Sequence, residues 1–321
     1  MLSGPSSDGV HRSGSLEGCD PLGAPAGWGI LRLRGRDPGP RPPQMTEVQP
    51  LGPAEPLPHG RVTYAARDGV ALLTLTNPPA NGYSHEMMRD LDEAVLKARF
   101  DDAVQVIVLA GEGEKFFCAG ADISMLDAVT PAFKYQFCLH ANETMLRLEH
   151  TPKLVIAALG GHCVGGGLEV ALACDLRFAR RGSGKCGLPE VHLGVLPGTG
   201  GTQRLGRIVG ASRAIDLMAS GRTFDFDEAE RLGLVDQQLD ADSEASFLDA
   251  VLERAREYTT PGRASMAVGL IKRAVKSGLD LPLESGLALE RELQQRLFTS
   301  GDAREGIAAF TEKRKPTFEG S

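Results

Sequence analysis

A continuous apolar segment that runs into a glycine-rich one constrains the fold of this chain most. Leu154–Leu159 is apolar without interruption, which is typical of a strand buried on both faces of a parallel sheet. The glycine-rich segment 160–167 follows, and Leu168–Ala173 then has the pattern of a helix. Strand, loop and helix in this order favour an α/β architecture.

The glycine-rich loop also has the properties of a binding site. Glycine lets the backbone approach a ligand closely, and a helix N-terminus offers free N–H groups and a positive dipole end. Together these features can hold an oxygen that becomes negative during a reaction. Glu169 falls in the first turn of the predicted helix. The glycines alone are equally compatible with an ordinary tight turn in which Glu169 is a simple first-turn acid.

A second carboxylate favours the catalytic interpretation. Glu190 follows Pro189 and precedes the apolar residues Val191 and Leu193, so it lacks the polar neighbours of a surface glutamate. Two carboxylates in one apolar cleft push their pKa values apart, so that one can be an acid while the other is a base. Such a pair can add water across a double bond or move a proton beside a carbonyl group.

The segments before and after this region alternate between strand and helix patterns. We expect strands over 62–66 and 70–76, a helix capped by Ser84 that runs to about Arg99, and a strand over 104–110. Thr130-Pro131 has the form of a helix start, followed by an apolar face. The residues of that face are Phe133, Phe137, Ala141, Met145 and Leu148. Further helices are predicted over 213–220, 247–258, 266–276, 283–298 and 302–311.

The first 59 residues differ in character from the rest. They are rich in Gly, Pro, Ser and Arg and show no apolar periodicity, so we expect them to be disordered. They also lack the apolar core of a secretory signal. Met45 is an alternative start of the protein, in which case the residues before it would be a translation artefact.

Composition excludes several classes of function. A net charge of -7 argues against a nucleic-acid partner held by phosphate contacts. No apolar segment is long enough to span a bilayer, so no membrane partner is expected. The six cysteines show no metal-ligand spacing and mostly sit in apolar segments, which favours a reducing, cytoplasmic setting. The histidines lack ligand spacing as well, and we expect no metal.

Four motifs, in this order, resemble the enoyl-CoA hydratase (crotonase) family and most closely its bacterial type. They are the segments 115–123 (KFFCAGADI), 165–169 (GGGLE), 187–194 (GLPEVHLG) and 197–205 (PGTGGTQRL). The resemblance covers about residues 60–320. It implies a spiral of ββα units, with a crotonase core over 60–255 and a C-terminal helical subdomain over 256–321 that packs on neighbouring subunits in homotrimers or homohexamers.

The resemblance also implies roles for particular residues. The N–H groups of Ala119 and Gly166 would hold the thioester oxygen, and the backbone from Ala119 through Gly120 and Ala121 to Asp122 would bind the CoA ester. Glu169 would orient and activate water, and Glu190 would exchange the proton at C2. From its own position we interpret Asp122 as a helix cap rather than a catalytic acid.

The activity implied is reversible syn addition of water to 2-enoyl-CoA thioesters, giving 3-hydroxyacyl-CoA. No cofactor is expected, because both steps are proton transfers and coenzyme A is part of the substrate. A Δ3-Δ2-enoyl-CoA isomerase, or another acyl-CoA enzyme of the family, is the first alternative, although isomerases often keep only one of the two acids. A non-catalytic RNA-binding relative is the second, and the acidic charge argues against it.

Overall fold

The computed structural model describes residues 51–321. The expectations for residues 1–50, including the Met45 start, and for Cys19 lie outside this part of the chain. The described residues form eleven strands, eleven α-helices and one 3₁₀ helix. The strands are β1 Glu55–Pro56, β2 Val62–Arg67, β3 Val70–Leu75, β4 Val106–Gly111, β5 Phe116–Cys118, β6 Leu154–Leu159, β7 His162–Val164, β8 Leu176–Arg180, β9 Lys185–Gly187, β10 Phe224–Asp225 and β11 Gln237–Leu239.

The helices occur between the strands and dominate the C-terminal third. They are α1 His85–Phe100, α2 Ile123–Ala128, α3 Pro131–His150, α4 Gly166–Ala173, α5 Gly201–Val209, α6 Ala211–Ser220, α7 Phe226–Arg231, α8 Glu244–Arg256, α9 Ser265–Gly278, α10 Leu283–Phe298 and α11 Gly301–Glu312. The 3₁₀ helix spans Glu190–Leu193. The predicted α/β class and the C-terminal helices are confirmed.

A seven-stranded sheet forms the centre of the molecule. Its order is β1-β2-β3-β4-β6-β8-β11, in which the first three strands pair antiparallel and the rest run parallel from β3 onwards. The apolar strand β6 lies between β4 and β8 and is covered on both faces. One face packs against helices α1, α3 and α4, whereas α8 covers the other with Phe247 and Val251. This two-sided burial explains the uninterrupted apolar sequence of β6.

A second, smaller sheet holds the loops of the site. Its order is β10-β9-β7-β5, with β5, β7 and β9 parallel. Cys118, Cys163 and Cys186 are side by side across these three strands, and all three are buried. The five cysteines in the described part of the chain form no disulfide.

Two details of the fold differ from the sequence expectations. Residues 51–59, which were expected to be disordered, contain β1, which pairs with β2, and His59, whose backbone N–H donates to the buried carboxylate of Asp90. On α3, Phe133 is exposed, although the rest of the predicted apolar face is buried. Phe133 lies in the first turn, and its ring contacts His85 at 5.5 Å between centroids rather than the core.

No helix within residues 51–321 has the length and apolar character needed to cross a bilayer. Over the same residues, no cluster of three or more His, Cys, Asp or Glu side chains is placed to hold a metal ion.

Candidate active site

Helix α4 brings Glu169 into the interior of the protein. The helix begins at Gly166, directly after β7, and Gly165 before it has a φ of 57°, which favours glycine. Glu169 lies in its first turn and is 1% exposed. A carboxylate removed from water in this way needs hydrogen-bond donors.

The loop before α5 supplies these donors. The backbone N–H groups of Thr199 and Gly201 both donate to Glu169 Oε1, at 2.8 and 2.7 Å. The Thr199 hydroxyl donates to the other carboxylate oxygen, Oε2. Between these residues Gly200 has a φ of 113°, and a Cβ there would collide with the guanidinium of Arg204. The glycines of the PGTGG segment therefore let the loop turn tightly around the carboxylate.

Glu190 has a different environment. It opens the short 3₁₀ helix after Pro189, and its Oε1 faces Gly165, where a Cβ would lie 3.1 Å from that oxygen. Its Oε2 is buried and has no hydrogen-bond partner. Burial raises the pKa of Glu190 to about 7, and the negative charge of Glu169 adds to this increase. The two carboxylates are therefore electrostatic neighbours on either side of the α4 N-terminus.

The contrast between the two environments suits a division of roles. Glu169 is held by three donors, whereas Glu190 has a pKa near neutrality and a free oxygen. A group with a pKa close to the working pH is the more effective proton donor and acceptor. Val191 and Leu193, the apolar neighbours that distinguish Glu190 from a surface glutamate in the sequence, are themselves exposed.

The backbone donors at the site can be identified from their hydrogen bonds. The N–H of Gly166 has no acceptor among the described residues, as the start of a helix leads one to expect. The N–H of Ala119, in contrast, donates to the carbonyl oxygen of Ala80 at 3.0 Å. Ala119 therefore cannot offer this N–H to a substrate oxygen while the bond is intact, and its expected role needs correction.

Ala121 is the better candidate for the second donor. Its N–H has no acceptor in the described part of the chain, although Gly120 O and Asp122 N on either side bond to Tyr83. Gly120 has a φ of 90°, and a Cβ there would lie 3.0 Å from the nitrogen of Gly166. The segment therefore passes directly over the start of α4.

Asp122 caps helix α2, as predicted. Its Oδ1 accepts hydrogen bonds from the N–H of Ser124 at 2.9 Å and from the N–H of Met125 at 3.4 Å. The same oxygen accepts from the Ser124 hydroxyl at 2.6 Å. These bonds lower the pKa of Asp122, the largest contribution coming from the Ser124 hydroxyl. The side chain is thus occupied with the helix rather than with chemistry.

Comparison with known proteins identifies the family. The family model for enoyl-CoA hydratase/isomerase matches residues 65–321. A probable enoyl-CoA hydratase of Rhizobium meliloti is 40% identical, over 78% of this chain and 94% of the relative. A short-chain-enoyl-CoA hydratase of Clostridium acetobutylicum is 36% identical, over 77% and 92%. A crystal structure of an enoyl-CoA hydratase from Geobacillus kaustophilus superposes with a TM-score of 0.78 at 44% identity, covering 81% of this chain and 97% of that one.

The chain belongs to the enoyl-CoA hydratase/isomerase family. The resemblance found in the four sequence motifs is thereby confirmed, and with it the crotonase-like fold. Glu169 is buried and Glu190 is partly buried beside it.

Two polar residues of the site were missed by the sequence argument. Thr199 and Tyr83 are both buried, and their hydroxyl oxygens are 3.1 Å apart. Thr199 lies within the motif 197–205, where glycines surround it on both sides. Tyr83 follows a Pro- and Gly-containing loop, where a tyrosine gives no signal of its own.

Proposed function

We propose that this protein is an enoyl-CoA hydratase. It adds water to the double bond of a 2-enoyl-CoA thioester to give 3-hydroxyacyl-CoA, and it catalyses the reverse reaction. The observation that carries the proposal is the pair Glu169 and Glu190 beside the N-terminus of α4, one held by three hydrogen-bond donors and one with a pKa near 7. The family membership and the names of the relatives support the same activity.

The mechanism assigns one proton transfer to each carboxylate. Glu169 orients a water molecule and accepts its proton as the water oxygen bonds to C3. Glu190 donates a proton to C2 on the same side of the double bond, which gives syn addition. In the reverse direction Glu190 removes the C2 proton and Glu169 protonates the leaving hydroxyl. Neither step needs a redox cofactor.

The thioester oxygen gains negative charge during both steps. We assign its binding to the N–H of Gly166 together with that of Ala121, in place of Ala119. Two donors that are fixed before the reaction stabilise such an oxyanion, and the loss of one typically costs about 2.7–4 kcal/mol. The backbone from Ala119 to Asp122 would then hold the CoA ester beside the helix.

The chemistry can be tested with two conservative substitutions. Glu169→Gln and Glu190→Gln should each lower kcat for crotonyl-CoA hydration by about 100-fold or more, with little change in thioester affinity. Glu253→Gln, on the exposed face of α8, is the control and should keep full activity. Normal turnover in either site variant would contradict the proposal. If the wild-type protein shifts a 3-enoyl-CoA double bond but hydrates no 2-enoyl-CoA, the isomerase alternative is correct.

We also propose that the protein is a homotrimer or homohexamer located in the cytoplasm. Large apolar side chains are exposed along helices α9, α10 and α11, which favours burial between subunits. The absence of disulfides among the cysteines of residues 51–321 supports a reducing compartment.

A further inference from the structure

Two hydroxyl groups connect to the Glu169 carboxylate in series. The Tyr83 hydroxyl lies 3.1 Å from Thr199 Oγ1, and Thr199 Oγ1 contacts Glu169 Oε2. All three side chains are buried, at 3%, 0% and 1% exposure. Water therefore does not compete for these bonds.

The direction of the bonds follows from the number of protons. An ionised carboxylate only accepts hydrogen bonds, so the single Thr199 hydroxyl proton is donated to Glu169. The Thr199 oxygen can then only accept from Tyr83, which makes Tyr83 the donor. Burial, aided by the charge of Glu169, raises the pKa of Tyr83 well above 10, so its hydroxyl keeps the proton that it donates.

We propose that Tyr83 and Thr199 are positioning residues that hold Glu169 Oε2 in the orientation required to activate water. The inference rests on the proposed function only in giving Glu169 a catalytic role. Oε1 is fixed by two backbone N–H groups, and the hydroxyl chain fixes the second oxygen. Bonds in such a chain polarise one another, so that Tyr83 acts on Glu169 through Thr199.

The packing around Tyr83 shows that its hydroxyl is held in place. Its backbone N–H donates to Gly120 O at 2.9 Å, and its carbonyl accepts from Asp122 N at 3.1 Å. Its ring lies against the α carbon of Gly166, where a Cβ would approach Tyr83 Cε1 to 1.8 Å, and it contacts the ring of Phe137. The phenol thus spans the site from the oxyanion donor Gly166 to the loop that orients Glu169.

The kinetic test uses single and double substitutions. Tyr83→Phe removes one hydroxyl and should lower kcat about five- to tenfold, with KM nearly unchanged. Thr199→Val removes the second hydroxyl but keeps the backbone N–H, and it should lower kcat at least as much. The double variant should match Thr199→Val alone, because Tyr83 has no other route to Glu169. Thr199→Ser, which keeps a hydroxyl, should recover most of the kcat lost in Thr199→Val.

Tyr64→Phe is the matched control. Tyr64 is also buried, and its hydroxyl bonds to Asp101 at 3.4 Å, away from the site. The Tyr64→Phe substitution should therefore leave kcat for hydration unchanged. The proposal is wrong if Tyr83→Phe leaves kcat unchanged. It is also wrong if the loss of kcat in the double variant equals the product of the two single losses, because the two hydroxyls would then act independently.

A spectroscopic measurement separates this inference from the proposed function. Infrared difference spectra of ¹³C-glutamate-labelled protein report the Glu169 carboxylate stretch, assigned by its loss in Glu169→Gln. Tyr83→Phe should shift that band in the wild-type background and not in Thr199→Val. The result does not depend on turnover. Absence of hydration by the wild-type protein would refute the proposed function, whereas the same shift in both backgrounds, or in neither, would refute the positioning role.

Discussion

At the scale of single residues, the site depends on two carboxylates with unequal surroundings. Three donors satisfy Glu169, whereas Glu190 keeps a buried oxygen without a partner. Burial first, and then the charge of Glu169, raise the pKa of Glu190 to about 7. In the mechanism proposed above, the pair carries one proton, on Glu190 before hydration and on Glu169 after it.

This proton count predicts the pH profile. As the pH rises through about 7, Glu190 loses its proton, so kcat/KM for hydration should fall. Addition of water consumes no net proton, so the equilibrium constant is independent of pH and kcat/KM for dehydration must fall in parallel. Initial rates for both directions between about pH 5 and 9 check this prediction. A hydration rate that stays constant up to the alkaline end would contradict the role of Glu190 as the acid.

At the scale of elements, the sequence predicts those features that depend on residues close together in the chain, such as helix caps. The cap of α1 is an example: Ser84 precedes the helix, and its hydroxyl accepts from Met87 N at 3.3 Å. Thr130 caps α3 in the same way, at 3.2 Å from Phe133 N. Each cap involves residues three positions apart, so it can be recognised in the sequence.

Contacts between distant segments could not be predicted in this way. The family resemblance implied Ala119 as an oxyanion donor, and nothing in the sequence shows that Ala80 accepts its N–H. The bond between Tyr83 and Thr199 joins positions 116 residues apart. The burial of Glu169 and the partly buried position of Glu190 were predictable, because a carboxylate within an apolar or glycine-rich segment is unusual in any context.

A buried lysine on helix α9 pairs with Asp175, which follows helix α4. Lys272 Nζ lies 2.7 Å from Asp175 Oδ2 and donates to the carbonyl oxygens of Leu148 and Lys153, at 2.8 and 3.0 Å. Burial lowers the pKa of Lys272 and raises that of Asp175, which shows that both charges are withdrawn from water. Each depends on the other for compensation.

Removing the lysine should therefore destabilise the protein strongly. Lys272→Met leaves Asp175 buried without its main partner and should lower the free energy of unfolding by about 3–5 kcal/mol. Lys276→Met is the control, because Lys276 is 28% exposed and 3.8 Å from Asp175, and it should cost about 1 kcal/mol or less. Denaturant titration followed by circular dichroism measures both. If the two variants lose the same free energy of unfolding, the buried Lys272–Asp175 pair contributes no more to stability than the partly exposed Lys276.

At the scale of the whole molecule, the C-terminal helices leave an apolar surface uncovered. The exposed residues include Leu279 between α9 and α10, Leu283 and Phe298 at the ends of α10, and Phe310 on α11. Single exposed apolar residues are common, but several along neighbouring helices indicate a surface that another protein covers. A second copy of this chain is the occupant that we propose.

Light scattering should give a mass that is a multiple of three chains. Phe310 is 88% exposed, and Phe310→Asp should shift the mass toward that of a single chain, because a charge buried between subunits is costly. Phe100→Asp is the matched control: Phe100 is 79% exposed at the end of α1 and should leave the mass unchanged. If the wild-type protein has the mass of a single chain, the assembly is contradicted. It is also contradicted if Phe310→Asp leaves the mass unchanged.

The separation of the Glu169 donors along the chain has a consequence for biosynthesis. Translation adds Glu169 to the chain some thirty positions before Thr199 and Gly201. A nascent chain that has emerged only as far as α4 therefore contains this carboxylate without any of the groups that orient it. If Glu169 has the role proposed for it, polypeptides truncated ahead of residue 201 should be inert however well their first strands and helices form.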